Sequence, residues 1–349
     1  MARLDLAQLR TVLLVRLSSI GDILLTTPVL RLLRQACPQA RLDFALKAPY
    51  ADLLRANPCV DRLLLVPPGE SLRAMWRRLR QQRYDLVLDW QRTLRSRVLL
   101  WGVRATHRLA YNKRTVRRAL LVHLGWNLLR PPLAVPELYA RPLRRLGLTA
   151  PLPPLEMHLT PESQAAAAAY LEQALPAGQR QPLLAVAPGA RWATKRWPAE
   201  RFAAVAQALA DAHGAAVVLL GDADDVPLAQ AICQQLRAPV LDGTGRLSLM
   251  QTAALLQRCR LLLSNDSGLM HLAAALRVPV VAVFGPTVAE FGFYPFQATA
   301  QVVSLALPCR PCSTKGSRRC PRQHHQCMRG LSSEQVLDAA RQLWPAAHP

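Results

Sequence analysis

The sequence has no long apolar run and few aromatic residues. No uncharged apolar stretch reaches the roughly 18 residues of a membrane-spanning helix. The N-terminus also lacks the basic, apolar and small-residue order of a signal peptide, so we expect a cytoplasmic protein. Aromatic residues make up 5% of the 349 positions and do not interleave with the basic runs, so no recognised nucleic-acid-binding pattern is present.

Two nucleotide-binding motifs are missing as well. No GxGxxG follows the first predicted strand, and no P-loop motif occurs anywhere, which argues against a dinucleotide oxidoreductase and a P-loop NTPase. The first strand leads instead into Ser18-Ser19-Ile20-Gly21-Asp22. The Asp22 carboxylate stands at the start of the next predicted helix. It would either cap that helix or act as a general base on an attacking hydroxyl.

Acidic residues are scarce in one half of the chain. The formal net charge is +22; residues 1–150 carry 27 Lys and Arg against 9 Asp and Glu, whereas residues 151–349 carry 17 against 13. Nearly all of the positive charge is arginine, which suits bidentate contacts with phosphate and carboxylate groups. Such asymmetry is typical of a protein that meets a polyanion: nucleic acid, an anionic membrane face or a phosphorylated substrate.

Short apolar runs alternate with helix-like segments throughout, which predicts parallel sheets covered by helices. The Pro-rich stretch 151–154 marks the domain junction. Between residues 73 and 118, which hold 13 of the 25 arginines of residues 1–150, we expect mainly helices and loops. Strands are predicted at 12–16, 42–46, 63–66, 86–88, 183–187, 217–220, 240–241, 261–263 and 280–284. The clearest helices are predicted at 23–35, 164–175, 199–213, 249–257 and 332–343, the last capped by Ser332 or Ser333.

Residues 261–287 are the most informative segment. They read as a strand, a polar turn Ser264-Asn265-Asp266-Ser267-Gly268, a helix that carries His271, and a second strand. Ligands bind at the carboxyl edge of open α/β sheets. Ser267 and Gly268 would let a phosphate approach the N–H groups at the helix start. The alternative is that these residues only cap the helix.

Five motifs, in order along the chain, resemble those of the family-nine glycosyltransferases. The resemblance rests on Val15 to Asp22 with Thr26-Thr27-Pro28, on Asp85 to Gln91, on Pro188-Gly189-Ala190 with Lys195 to Pro198, on Asn265 to His271, and on Phe284 to Thr287. It implies a GT-B architecture: two Rossmann-like parallel-sheet domains that face a cleft, with no catalytic metal required. We assign residues 1–155 to acceptor binding, 156–331 to nucleotide-sugar binding, and 332–349 to a C-terminal helix that packs back on the first domain.

The same resemblance implies an activity and its residues. The activity is inverting transfer of heptose from ADP-heptose to the lipopolysaccharide inner core. Asp22 matches the family's proposed general base, and Lys195 matches a lysine that contacts the donor phosphates. Asp266 matches a residue near the donor sugar and ribose, while Ser267, Gly268 and His271 lie in the diphosphate-binding turn. Either Asp224 or Asp225 would accept the ribose hydroxyls, unless this acidic segment is only a surface loop.

The resemblance also suggests what the basic N-terminal half of the chain binds. We expect Arg16 and Arg95 to contact anions of the inner-core acceptor, and the protein to be peripheral at the anionic inner-membrane face. The family usually has Gly after the Gln of the second motif, whereas this chain has Arg92, which places an extra cation near the acceptor. Another nucleotide-sugar or acceptor stays open. A basic nucleic-acid-binding protein is the remaining alternative, although we expect no nucleic acid.

Four cysteines cluster near the C-terminus. Cys309, Cys312, Cys320 and Cys327 form C-x₂-C-x₇-C-x₆-C, with His324 and His325 before the last. In a cytoplasmic protein such clustering favours metal binding over disulfides. A structural zinc site, a redox-sensitive thiol loop and plain loop cysteines are the three possible readings. No other cofactor is expected.

Overall fold

The computed structural model describes residues 5–174 and 181–344. Contacts divide the chain into two compact units. The first comprises Met1–Arg114 and Leu133–His158, and the second comprises Thr115–Pro132 and Leu159–Pro349. The junction after His158 lies close to the boundary proposed at residue 155. No sequence feature indicated that the short segment Thr115–Pro132 belongs with the second unit.

The first unit is built on a five-stranded sheet, all of whose strands run parallel, in the order β3-β2-β1-β4-β5. The strands are β1 (Thr11–Val15), β2 (Arg41–Lys47), β3 (Arg62–Val66), β4 (Arg83–Asp89) and β5 (Arg104–Ala110). The helices up to residue 144 are α1 (Ile20–Leu24), α2 (Thr27–Ala36), α3 (Leu72–Arg80), α4 (Leu94–Trp101), α5 (Thr115–Leu124) and α6 (Val135–Arg144). Of these, α5 belongs to the second unit.

The central strands are continuous apolar runs because both faces of the sheet are covered. Residues 12–15 of β1 are fully buried, as expected for a parallel strand between helix layers. On one face, Leu13 and Val15 pack with Leu79 of α3 and with Leu99 and Leu100 of α4.

Two elements of the first unit differ from the sequence prediction. The helix expected over 23–35 is two helices, α1 and α2, separated at Leu25 and Thr26. The basic stretch expected to hold mainly helices and loops also contains β5. This strand lies at the sheet edge, and its residues alternate between exposed and half-buried. Its arginines are tolerated because one side of this edge strand stays in solvent. The strand therefore contains no continuous apolar run from which it could be predicted.

The second unit contains a six-stranded parallel sheet in the order β11-β10-β9-β6-β7-β8. Its strands are β6 (Leu183–Ala187), β7 (Ala216–Leu219), β8 (Val240–Asp242), β9 (Leu261–Asn265), β10 (Val280–Val283) and β11 (Ala300–Val303). Its further helices are α7 (Pro161–Ala174), α8 (Ala199–His213), α9 (Val226–Cys233), α10 (Leu249–Gln257), α11 (Gly268–Ala275), α12 (Gln326–Arg329) and α13 (Ser333–Leu343).

The C-terminal helix α13 begins after Ser332, whose hydroxyl accepts from the Gln335 N–H. We expected this helix to pack back on the first domain. Its inward residues Val336 and Ala340 belong to the core of the second unit, against α8 and the sheet, and the contact with the first domain stays a prediction. Residues 345–349 of the predicted segment lie outside the described residues. Within the described ranges, no helix is both long and apolar enough to cross a membrane.

Candidate active site

Each sheet reverses its strand order at one place. In the first sheet β1 lies between β2 and β4, and in the second β6 lies between β7 and β9. Ligands of open α/β sheets bind outside the carboxyl ends of the strands at such a switch point. The loops that follow β1 and β4, and those that follow β6 and β9, carry most of the predicted site residues.

Asp22 is held by a buried arginine at the first switch point. Arg16 Nη2 lies 2.5 Å from Asp22 Oδ1, and the Ser19 hydroxyl donates to Asp22 Oδ2 at 3.0 Å. The Asp22 side chain keeps 21% of its exposure, against 7% for Arg16. The Asp22 carboxylate is therefore partly exposed to solvent, and the buried Arg16 guanidinium compensates its charge.

The arginine changes the acidity of this carboxyl. Burial would raise the pKa of Asp22, but the Arg16 charge and the hydrogen bonds from Arg16 and Ser19 outweigh it and lower that pKa below its usual value. Asp22 is thus ionised and ready to accept a proton at neutral pH. Its side chain also reaches the Ser19 N–H in a capping box, so the cap and the chemical role coexist.

Arg16 is placed differently from the expectation that it contacts acceptor anions. Its Nε donates to the Ser18 carbonyl at 3.0 Å and its Nη1 to the Trp90 carbonyl at 2.6 Å. With Nη2 on Asp22, all three guanidinium nitrogens are used inside the unit. The guanidinium thereby fixes the Asp22 carboxylate against the loop after β1, and its contact with acceptor anions stays a prediction.

The loop after β4 is tied to the loop after β1. The Leu17 N–H donates to Gln91 Oε1 at 2.9 Å, and Asp89 Oδ1 accepts from the N–H groups of Gln91 and Arg92. Arg92 has a φ of +46°, in the left-handed region that favours glycine. Where the family usually has Gly, this chain therefore has a residue with a side chain in a strained backbone conformation.

Arg95, the second predicted acceptor residue, lies on the exposed side of α4. Its Nη2 donates to the Glu70 carbonyl at 3.4 Å. It is the more accessible of the two predicted acceptor arginines.

The second switch point holds a buried ion pair. Lys195 Nζ lies 2.5 Å from Asp266 Oδ2, and the Thr287 hydroxyl donates to the same oxygen at 2.6 Å. The side-chain exposures are 13% for Lys195 and 7% for Asp266. The structure thus joins two predicted residues and adds Thr287, for which the sequence offered a motif position but no role.

Asn265 is the main residue that sequence reasoning left without a function. Its Nδ2 donates to the Pro188 carbonyl at 2.7 Å, and its Oδ1 accepts from the Trp197 N–H at 3.0 Å. The buried Asn265 side chain therefore joins both ends of the loop that carries Lys195, at Pro188 and Trp197, to the end of β9. Its place beside Asp266 in the motif was the available signal.

The predicted phosphate-binding turn begins α11. Ser267 is the N-cap, and its hydroxyl lies 3.1 Å from that of Ser264. Its side chain does not cap the helix, so the N–H groups that start at Gly268 are not covered by it. His271 is buried one turn further in, at 4% exposure. The helix start can receive an anion in the way that N-terminal N–H groups generally do.

The structure separates the two candidate ribose residues. Asp224 is exposed and its N–H donates to Asp222 Oδ1. The Asp225 carboxyl lies against Gly189, so close that a Cβ there would meet its oxygens within 2.2 Å. Burial raises the pKa of Asp225, and Arg196 Nη2 lies 3.9 Å from its Oδ1. Asp225, not Asp224, therefore lies at the edge next to the loop after β6.

Of the three readings of the cysteine cluster, a structural zinc site has no preformed ligand set in the described part of the chain. Within the described residues, no group of three or more His, Cys, Asp or Glu side chains is arranged to hold a metal ion. Cys327 is turned into the apolar core beside Met328, and burial raises its thiol pKa to about 11. Burial raises the pKa of Cys312 as well.

A two-unit α/β protein with a carboxylate at one switch point, and a lysine and a helix start at the other, has the make-up of a glycosyltransferase. Residues 72–321 match the model of glycosyltransferase family 9 (heptosyltransferase). This span covers more than half of the chain, so the protein belongs to that family and is an enzyme of its type.

The similarity to known proteins extends over nearly the whole chain. The chain is 26% identical over 350 residues to lipooligosaccharide heptosyltransferase 2 of Haemophilus influenzae, covering 95% of this chain and 99% of the relative. It is 29% identical over 340 residues to lipopolysaccharide heptosyltransferase 1 of Pseudomonas aeruginosa, covering 93% and 92%. The solved structure of ADP-heptose LPS heptosyltransferase II of E. coli matches with a TM-score of 0.73 and 25% identity, covering 96% and 98%.

Proposed function

We propose that the protein transfers L-glycero-D-manno-heptose from ADP-heptose to the lipopolysaccharide inner core with inversion at the anomeric carbon. The observation that carries the proposal is that each sheet has a polar switch point: that of the first carries an ionised Asp22, and that of the second carries Lys195 beside the start of α11. The names of the similar proteins support the choice of heptose and of a lipopolysaccharide acceptor.

The reaction is a single displacement. The acceptor hydroxyl attacks the anomeric carbon while the bond from that carbon to the diphosphate oxygen breaks. The hydroxyl proton passes to Asp22, and the bonding electron pair leaves with the diphosphate. A carboxylate with a lowered pKa accepts this proton late, when the attacking oxygen has become acidic.

Lys195 and the N–H groups of α11 would stabilise the departing diphosphate. Fixed donors aimed at developing charge contribute most of the stabilisation in such sites, and the loss of one typically costs about 10²–10³ in rate. The Lys195–Asp266 pair would hold the ammonium in place before the donor binds. Lys195 and Thr287 both contact Oδ2 of Asp266, and its Oδ1 would accept from a hydroxyl of the donor sugar or ribose.

Ribose recognition belongs to Asp225 in this proposal, and acceptor recognition to Arg95. Arg16 would position Asp22. His271, inside the first turns of α11, would support the diphosphate-binding turn. The acceptor is carried by a lipid at the inner-membrane face, where the enzyme would act as a peripheral protein of the cytoplasm.

The test is transfer to truncated inner-core acceptors with ADP-heptose and, in parallel, other nucleotide sugars. Heptose transfer that disappears in Asp22→Asn is the expected result. Transfer from a different nucleotide sugar, with none from ADP-heptose, would replace the substrate and keep the enzyme class. Full turnover by Asp22→Asn would remove Asp22 from the reaction.

A further inference from the structure

Helix α4 presents an apolar stripe to solvent. Leu94, Val98 and Trp101 are exposed to 78%, 51% and 88%. Their spacing of four and three residues places them on one face of the helix. The opposite face is apolar as well, since Leu99 and Leu100 are buried in the core of the first unit. The outer stripe is therefore not needed for folding, and surface helices normally keep this side polar.

Arginines surround the stripe. At 100° per residue, Arg97 and Arg95 fall on either side of it, and both are exposed. The neighbouring helix α3 adds further exposed arginines. Its Trp76 ring fills the space beside Gly102, directly after Trp101, and the Arg80 guanidinium lies 4.4 Å from that ring. Residues 72–110 hold 10 Arg and 2 Asp.

We infer that this surface, the α4 patch of Leu94, Val98, Trp101 and the arginines of α3 and α4, docks on an anionic phospholipid bilayer. An amphipathic surface of this kind inserts its apolar side chains at the headgroup boundary, and its cations meet the lipid phosphates. Tryptophan is enriched at that depth. A second copy of the chain fits the patch poorly, because a two-fold contact would place the arginines against their own copies.

Docking through α4 would place the Asp22 edge at the membrane surface. Helix α4 begins just after the carboxyl end of β4, the neighbour of β1. The Gln91 side chain, three residues before Leu94, already holds the Leu17 N–H of the Asp22 loop. The inference rests on the membrane location in the proposed function and names the surface that docks. Lipid binding is measured without any sugar, so its failure and the failure of heptose transfer are distinguishable.

The first experiment removes the apolar stripe. Leu94→Ser/Val98→Ser/Trp101→Ser should lower partition onto phosphatidylglycerol–phosphatidylcholine vesicles at least about tenfold. The replaced side chains are exposed, so circular dichroism and Tm should match wild type. The control is Val116→Ser/Leu124→Ser/Trp126→Ser, which changes the same three residue types at other exposed positions and should bind vesicles like wild type.

The second experiment removes charge. Each surface arginine near an anionic bilayer contributes about fivefold to partition, so Arg77→Gln/Arg97→Gln should bind roughly 25-fold more weakly at low salt. Arg258→Gln/Arg260→Gln, exposed positions of the second unit, should match wild type. Wild type should not bind vesicles of phosphatidylcholine alone.

Three results would overturn the inference. One is undiminished vesicle binding by the stripe variant. Another is an equal loss in both three-residue variants, which would show that α4 is not the docking site. The last is concentration-dependent dimerisation or capture of a soluble protein that the stripe variant abolishes, with no lipid binding by wild type.

Discussion

Lys195 Nζ and Asp266 Oδ2 lie 2.5 Å apart at the carboxyl edge of the second sheet. The pair brings together the loop after β6 and the turn after β9, on the two strands that flank the switch point. A buried ammonium would be costly alone. The Asp266 carboxylate compensates the charge of the ammonium at this buried position.

Replacing Lys195 should mainly impair catalysis. Lys195→Gln should lower kcat with ADP-heptose by about 10²–10³, because a fixed cation is lost from the departing diphosphate. Lys315→Gln, an exposed lysine of the same unit, is the control and should leave turnover intact. Steady-state kinetics checks this, and unchanged kcat in Lys195→Gln would take the residue out of the donor site.

The acidity of Asp22 predicts the pH profile. Since the pKa of Asp22 lies below its ordinary value of 3.8, protonation of this group should not reduce kcat/KM above about pH 5. Arg16→Gln removes the charge that lowers the pKa of Asp22, so the fall of kcat/KM at low pH (the acid limb of the profile) should begin at a higher pH. Arg16→Lys should restore part of the original profile. A limb that stays in place in Arg16→Gln would contradict the positioning role.

The same pair links stability to pH. A lowered carboxyl pKa stabilises the folded state above the unfolded value, and this contribution is lost as pH falls through the folded pKa. Asp22→Asn should therefore unfold more easily than wild type at pH 7, by up to about 3 kcal/mol. The difference should shrink below pH 3.8. Urea titrations at the two pH values measure it.

Asn265 should matter for stability and for donor binding together. Asn265→Ala leaves the Pro188 carbonyl and the Trp197 N–H without their side-chain partner, and should cost about 2 kcal/mol or more. Because the same loop carries Lys195, KM for ADP-heptose should rise. Asn112→Ala, at an exposed position, should do neither. Loss of stability with unaltered KM would restrict Asn265 to a folding role.

The backbone strain at Arg92 can be tested by substitution. Its φ of +46° costs about 1–2 kcal/mol for a residue with a side chain. Arg92→Gly should therefore unfold within about 1 kcal/mol of wild type, whereas Arg92→Val should be destabilised by about 1–2 kcal/mol. If valine were tolerated as well as glycine, strain at this position would be refuted. Denaturant midpoints report both.

The buried elements were predictable from local sequence. Helices 199–213 and 249–257 have the predicted ends, and every predicted strand exists, because strands buried on both faces are continuous apolar runs. The exposed-edge strand β5 was missed for the converse reason. Strand β11 was also missed; it is a four-residue strand at the sheet edge, and Gln301 interrupts its apolar residues.

The sequence by itself determined the family motifs, their order, and the loops that carry Asp22, Lys195 and Asp266, since each motif is local to one strand end. Only the tertiary structure decided what those side chains do to one another. It paired Arg16 with Asp22, added Thr287 and Asn265, and placed Asp225 rather than Asp224 against the loop after β6. The physical reason is that ion pairs and buried hydrogen bonds join loops from different strands, and strand order is invisible in a linear pattern.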